Sequence, residues 1–549
     1  MSFRGHARDS CGDAMGGGAM GGGRMDLVAA VDVGSTSARA GIFDEKGRLL
    51  GRATHGFAVL RPAPDHAEHD SGEVWRAACT ALREALAIAA IDPARIGGLA
   101  FDATASQVVL ARDGAPVCIS TSGKDTHDVV MWADHRAAAE AEEITATGHR
   151  VLGHVGGVMS PEMALPKMLW IKRHMPRAWE RMGIALDLTD FLAWRATGRL
   201  VASACTLTCK WTYLNHEQPG WQDDFLGQVG LGDLRARASL PDRAATIATP
   251  IGPLSARAAA ELGLTTGCVV AVGVIDAHAG GVGLLAGLDR DRLDGHVAMI
   301  AGTSTCHMAV SGQARPVPGV WGPYRDAMLP GAWLNEGGQS ATGALLDHVL
   351  DWHAEGRHLG ADRHARLSAA VEAAIAAEGP GFAGDLDVLP DFHGNRSPLA
   401  DPQARGAIHG LSMDSSFASL VRLYHATAVA IALGTRHVLD ALDARGWRTS
   451  HVHLTGGHAA SPLLRRLYAD ATRRTIVLPE EADSVLLGTA IVAATAAGIH
   501  PGIAAAGAAM SRAGQSISPD PAFAREYDAR YRRFLMMHDH ARALRAARG

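Results

Sequence analysis

Cysteine is scarce here, and nothing in its spacing pairs it. The seven cysteines of the 549-residue chain stand at 11, 79, 118, 205, 209, 268 and 306, with no CxxC and no His/Cys cluster at zinc spacing. An odd, dispersed set excludes a disulfide scaffold and a zinc-ribbon module, and implies buried free thiols in a reducing compartment. A basic excess is also missing. Lys and Arg number 52 against 57 Asp and Glu, a net charge of −5 with both signs interspersed. That leaves no basic face for nucleic acid or an anionic membrane. The N-terminus lacks the apolar segment of a signal peptide, and the apolar stretch 485–498 is too short and too rich in Gly and Ala to span a bilayer. The expectation is a cytoplasmic protein with small-molecule partners, neither nucleic acid nor membrane among them.

What is present describes a globular protein, with 47% apolar and 20% charged residues. The chain exceeds one hydrophobic core, so two large domains or more are expected. Residues 1–25, with two Gly-Gly-Gly runs, read as a disordered tail, and Met25 stands directly before the first strand as an alternative start.

The chain is organised around Asp276. Cys268-Val-Val-Ala-Val-Gly-Val-Ile-Asp-Ala-His-Ala-Gly-Gly-Val-Gly283 is an apolar run that meets one carboxylate and passes into a glycine-rich segment. It reads as a buried strand followed by a closely packed helix, which leaves Asp276 at the strand's C-terminal end, where open α/β sheets bind ligands. The alternative is that Asp276 only caps the helix.

Two stretches weigh on that choice. Leu27-Val-Ala-Ala-Val-Asp-Val-Gly-Ser-Thr-Ser37 is a strand through Asp32, a turn at Gly34 with hydroxyls on Ser35, Thr36 and Ser37, and a return strand carrying Arg39. Such a turn can wrap backbone N–H groups around a phosphate, and it is equally a common hairpin tip. The second stretch, His296-Val-Ala-Met-Ile-Ala-Gly-Thr-Ser-Thr-Cys-His-Met-Ala-Val310, repeats the design with Gly302, Thr303, Ser304 and Thr305. Two copies in separate halves suggest two related lobes, each offering one phosphate loop across a cleft.

These motifs resemble those of the FGGY carbohydrate kinases, within the actin-like ATPase superfamily, over nearly all of the chain after Met25. Asp32-Val-Gly-Ser-Thr-Ser37 and Ala301-Gly-Thr-Ser-Thr305 are similar to that family's two phosphate loops. Gly273-Val-Ile-Asp-Ala-His-Ala-Gly280 is similar to its catalytic-aspartate segment, and Thr455-Gly-Gly-His458 to its adenosine loop. The resemblance implies an α/β fold of two actin-like (ribonuclease H-like) lobes with a nucleotide and sugar cleft between them. The expected division is 26–288 for the sugar-binding lobe, 289–500 for the nucleotide-binding lobe and 501–549 for a helical extension.

The resemblance also implies roles. Asp276 is the expected base, with ATP and Mg²⁺ as cofactors and Asp32 organising the metal. Gly34, Ser35, Thr36, Ser37 and Arg39 would hold the nucleotide together with Gly302, Thr303 and Ser304. Gly456, Gly457 and Ser461 would take its adenosine end, although Arg465-Arg466 stands where many relatives have Gln. Asp102-Ala-Thr-Ala-Ser106 follows a strand and reads as an ordinary turn or, by resemblance to ribulose-type kinases, as part of the sugar site through Asp102 and Ala105. Lys210 is a lone charge among hydroxyl and aromatic side chains and matches a sugar-contacting lysine of ribulokinases. Glu336 could cap the helix expected near Ser340, and the resemblance makes it a ligand for sugar hydroxyls instead. Trp132-x-Asp-His-Arg136 and Asp391-Phe-His-Gly-Asn-Arg396 also look most like the ribulokinase form. The expected substrate is D-ribulose, with L-ribulose and ribitol as rivals and a non-catalytic sugar-binding regulator as the reading from another class. A homodimer is a possible assembly.

Overall fold

The computed structural model describes residues 25–123 and 126–547, so the expected tail at 1–25 lies outside the described residues except for Met25. Two seven-stranded sheets carry the architecture. In the first, Leu27–Val33 pairs antiparallel with Ser37–Asp44, which pairs with Leu49–Gly56. On its other side Leu27–Val33 runs parallel to Ile96–Ala103, which is flanked by Val269–Ala271 and then Pro250–Pro253. In the second, His296–Ala301 pairs antiparallel with Thr305–Ser311, which pairs with Trp333–Gln339. His296–Ala301 also runs parallel to His451–Thr455, which in turn runs parallel to Thr475–Pro479. The two orders match, so the repeated hydroxyl turns sit at equivalent hairpins of two related α/β lobes.

Register decides what meets at the cleft. Asp32 lies opposite Arg39 on one side and Asp102 on the other. The short strand Val274–Ile275 continues the Val269–Ala271 direction and pairs with Asp102 and Ala103, bringing Asp276 to the same sheet end.

The lobes exchange helices. Asp276–Leu285 packs on the second sheet, where a Cβ at Gly280 would lie 2.8 Å from Ile300 Cγ1. Ser484–Ala496, from the second half of the chain, packs on the first sheet, where a Cβ at Gly98 would lie 2.5 Å from the Ala493 carbonyl. Ser484–Ala496 is buried along most of its length, as its predominantly apolar sequence requires. The two helices cross through Gly283 and Gly488, where only hydrogen fits between backbones.

The segment after residue 500 is more than a helical extension. Ala513–Ile517 forms the edge of the second sheet, and the helix Ala524–Ala546 buries Tyr527, Arg530, Tyr531, Phe534 and His538. The arginine-rich composition suggests a solvated helix, but a stripe of aromatic residues fixes it to the core, with Arg530 donating to the Phe382 carbonyl at 2.6 Å. Phe417–Asp443 is the one helix among the described residues long and apolar enough to cross a membrane, and 78% of its apolar window is buried inside the protein. No disulfide joins the six described cysteines; Cys118 and Cys306 are half-buried rather than buried.

Candidate functional site

At the end of the first strand Asp32 is fully buried and ion-paired with the Arg39 guanidinium. Burial pushes its carboxyl up to about 6, with Asp276 adding to the rise and Arg39 opposing it. The turn that follows is closed by Gly34 N–H donating to the Ser37 carbonyl at 3.0 Å. Trp132 Nε1 donates to Ser35 Oγ at 3.0 Å, and the His69 ring bonds the Ser35 carbonyl at 2.9 Å. Thr36 is left exposed at the tip.

The second turn is built alike. Gly302 N–H donates to the Ser304 carbonyl at 2.9 Å, and Thr303 is the exposed tip. It is braced from behind by Thr342 and Gly343, whose N–H groups donate to the Thr303 and Gly302 carbonyls at 2.9 Å each. The helix Gly343–Trp352 therefore starts directly against this loop, where its N-terminal dipole favours an anion. Beside it Gly456 has φ +88°, and a Cβ there would stand 2.5 Å from the Ala301 carbonyl oxygen. Gly457 faces open space, and Ser461 spends its hydroxyl capping the helix Pro462–Thr472 through Leu464 N at 3.3 Å.

Asp276 follows the short strand beside Asp102 and Ala103, within electrostatic reach of both loops. Its charge raises both the Asp32 carboxyl and the thiol of Cys306, which directly follows the second loop. It occupies the first turn of its helix rather than the capping position, which Ile275 fills without a side-chain bond. Oδ1 accepts from Ala277 N–H at 2.7 Å. Burial raises the Asp276 carboxyl above the usual range, against the pull of Ala277 N–H and Arg39. A carboxylate held this way is a stronger proton acceptor than one in water.

Next to Asp276 is a second group of charges drawn from both halves of the chain. Lys210 is buried, with Nζ 4.6 Å from the Trp321 ring centre and no hydrogen-bond partner among the described residues. Glu336 is buried in the middle of the strand Trp333–Gln339, not at a helix start, and its strand neighbour is Trp321. The Lys210 charge overcomes the cost of burying Glu336 and, with His278, holds its carboxyl down at about 2. No ion pair joins Lys210 to Glu336, so a buried donor and a buried acceptor are open to a ligand. Arg396 also lies over the Trp321 ring, its Cζ 5.4 Å from the centre, and pairs with Glu162 at 3.1 Å. Lys210 and Arg396 thus balance Glu162 and Glu336.

Asp102 is not with this group. Its neighbours are Asp32, across the parallel register, and Thr489 of the Ser484–Ala496 helix, whose hydroxyl it accepts. Burial and the Asp32 charge raise its carboxyl well above the usual range. Ala105 is buried in the turn beyond, where Thr104 and Ser106 share a 3.0 Å hydroxyl bond. Asp134 and Arg136 form a buried cluster with Glu68, which shapes the lobe from inside. Lys167 is likewise internal, donating to the Met131 carbonyl at 2.6 Å.

Glu162, His278, Trp321, Arg396, Thr342 and Gly343 are members of the site that residue-by-residue reading does not single out. His278 and Arg396 lie inside recognisable motifs, so a signal for them exists. Trp321 and Glu162 sit in stretches without one, and only the fold brings them to Lys210.

The N-terminal domain of the FGGY family of carbohydrate kinases matches residues 27–283, and its C-terminal domain matches 297–497. An FGGY carbohydrate kinase domain-containing protein of Xenopus laevis is 42% identical over 545 residues, covering 94% of this chain and 97% of its own length. A D-ribulokinase of Saccharomyces cerevisiae is 35% identical over 508 residues, covering 85% of this chain and 71% of its own. Among solved structures, a xylulose kinase from Rhodospirillum rubrum superposes with a TM-score of 0.79 at 25% identity, covering 94% of this chain and 99% of its own. The two-lobed actin-like architecture is therefore the fold of this chain.

Proposed function

This chain belongs to the FGGY family of carbohydrate kinases, and on that premise we propose that it transfers the γ-phosphoryl group of ATP to the terminal hydroxyl of a pentulose, D-ribulose before L-ribulose or ribitol. The observation that carries the reading is the open pair Lys210 and Glu336 beside Asp276. A sugar hydroxyl is a poor nucleophile until a base accepts its proton, and Asp276 is the carboxylate placed to do so. Lys210 donates to sugar hydroxyls, Glu336 accepts from them, and Trp321 supplies an apolar face. The balanced charges of Lys210, Arg396, Glu162 and Glu336 favour a neutral sugar over an acidic one. The 35% identity to a D-ribulokinase supports D-ribulose in particular.

The two hydroxyl turns, with Arg39, would hold the phosphates, and the Gly456–Gly457 backbone the adenosine end. Asp32 fits a magnesium ion, since its carboxylate is fully buried and the one cation paired with it is Arg39, at Oδ2, while no cluster of three His, Cys, Asp or Glu among the described residues could hold a metal alone. Such an ion would neutralise phosphate charge, with the nucleotide and water supplying its other ligands. Arg39, now paired with Asp32, would then be free to turn to a phosphate.

The test is ADP release from ATP over D-ribulose, L-ribulose, D-xylulose and ribitol. D-ribulose should give the highest kcat/KM. Release with none of them would sink the reading and favour a sugar-binding regulator.

A further inference from the structure

Glu336 is held by more than Lys210. His278 is fully buried, two residues after Asp276 on the same helix, and its Nε2 lies 3.3 Å from Glu336 Oε2. Its Nδ1 lies 2.9 Å from Cys205 Sγ, and that sulfur accepts the Ile275 N–H at 3.4 Å. The imidazole is therefore pinned at both nitrogens. The chain Ile275 N–H, Cys205, His278, Glu336 runs from the residue before Asp276 to the acceptor on the other sheet. Few groups face the ring: Cys205, Cys209 and Lys210 from the helix Ala204–Lys210, Glu336 from its strand, and Asp276 from its own helix. Burial alone would lower the imidazole's basicity, but Cys209 and Glu336 outweigh it and the net shift is upward.

The geometry points to His278 as a positioning residue: it fixes the rotamer of Glu336 toward the sugar and ties that acceptor to the helix turn that carries Asp276. His278 need touch neither the sugar nor the phosphate. This rests on the kinase reading and on Glu336 as a sugar ligand. Its consequence is that the sugar and its base share one frame, so a hydroxyl held by Glu336 sets where the reacting hydroxyl lies relative to Asp276. A buried carboxylate without that partner would be free to turn toward Lys210 and close the opening between them.

The test compares His278→Asn, His278→Gln, Glu336→Gln and the double variant Glu336→Gln/His278→Asn, with KM for D-ribulose and for ATP measured separately. Asn cannot reach Glu336, whereas the Gln amide can stand where Nε2 stands. His278→Asn should raise the sugar KM about tenfold or more, the worth of one hydrogen bond to a charged group, with ATP KM unchanged. His278→Gln should recover most of that loss. In the Glu336→Gln background, His278→Asn should add less than about twofold, because the partner it acts through is gone. Cys205→Ala, which removes the Nδ1 partner together with the acceptor of the Ile275 N–H, should raise the sugar KM by about threefold and keeps the test open if His278→Asn does not fold. Losses that multiply in the double variant would overturn the proposal. So would His278→Gln no better than Asn, or a Cys205→Ala sugar KM at the wild-type value. A native sugar KM in Glu336→Gln alone would instead remove Glu336 from the sugar site, a failure of the functional reading itself.

Discussion

Replacing Gly488 by Ala tests whether the helix crossing between the lobes holds Asp276 in place. A Cβ at 488 would lie 2.7 Å from the Ala279 carbonyl carbon and 2.8 Å from Gly283 N, and nearer still to the Ala279 oxygen. All three are backbone atoms of the helix that begins at Asp276, so no side chain can turn aside. The helices must part, by on the order of 1 Å, and overpacking of this kind costs about 1–3 kcal/mol. Asp276 sits two turns from Gly283 on that rigid helix and moves with it. A misplacement of about 1 Å at a reacting group costs about a hundredfold in rate. Gly488→Ala should therefore lower kcat by about two orders of magnitude in an ADP-coupled assay, and lower Tm by several degrees. Gly227→Ala, at an exposed position of the helix Asp223–Gln228 where a Cβ meets nothing within 4 Å, is the control and should leave kcat unchanged without lowering Tm. A Gly488→Ala enzyme with native kcat and native Tm would refute the claim that this contact fixes the base.

Two further outcomes follow from buried charge. Asp190 is buried and accepts Ser203 N–H at 3.1 Å and Thr206 Oγ1 at 2.7 Å, yet burial, aided by Asp187, pushes its carboxyl up to about 8. The native state then binds the proton that the unfolded chain has released, so this group's contribution to stability falls as pH rises from about 4 to about 8. Asn does not titrate, and Tm of Asp190→Asn minus Tm of wild type should rise across that range; a flat or falling difference contradicts the shift. Glu162→Gln leaves Arg396 without its carboxylate and gives the sugar pocket a net positive charge. It should lower Tm and strengthen competitive inhibition by an aldonate against D-ribulose by about tenfold, and unchanged inhibition would refute the charge-balance argument.

The parts of the site legible in the sequence are those whose chemistry is local. A glycine turn with hydroxyls is fixed by a few consecutive residues, so both loops could be located, and a second copy turned an ambiguous motif into a pair of lobes. Lys210 stood out because a lone charge among Thr, Trp and Tyr has few exposed explanations. Asp276 and Glu336 each kept a capping alternative that only coordinates remove, since the difference between the first helical turn and the cap, or a strand interior and a helix start, is a matter of a residue or two. Asp102 reads the same way beside a sugar or beneath a loop; its register opposite Asp32 and its bond to Thr489 come only from the fold. Trp321, Glu162 and the Thr342–Gly343 brace were not legible, because their partners lie far away in sequence. The terminal helix misleads by composition: its arginines dominate, while Tyr527, Tyr531, Phe534 and His538 recur on one face and bury it.

The most direct measurement is single-turnover phosphoryl transfer by Asp276→Asn, alongside equilibrium binding of ATP and D-ribulose to the same variant. Asn keeps the shape and the Ala277 N–H contact but cannot take a proton at neutral pH. Binding of both ligands should stay within a few-fold of wild type, while transfer falls by about a hundredfold to ten-thousandfold, the range of general-base catalysis. Transfer at a near-native rate would contradict Asp276 as the base.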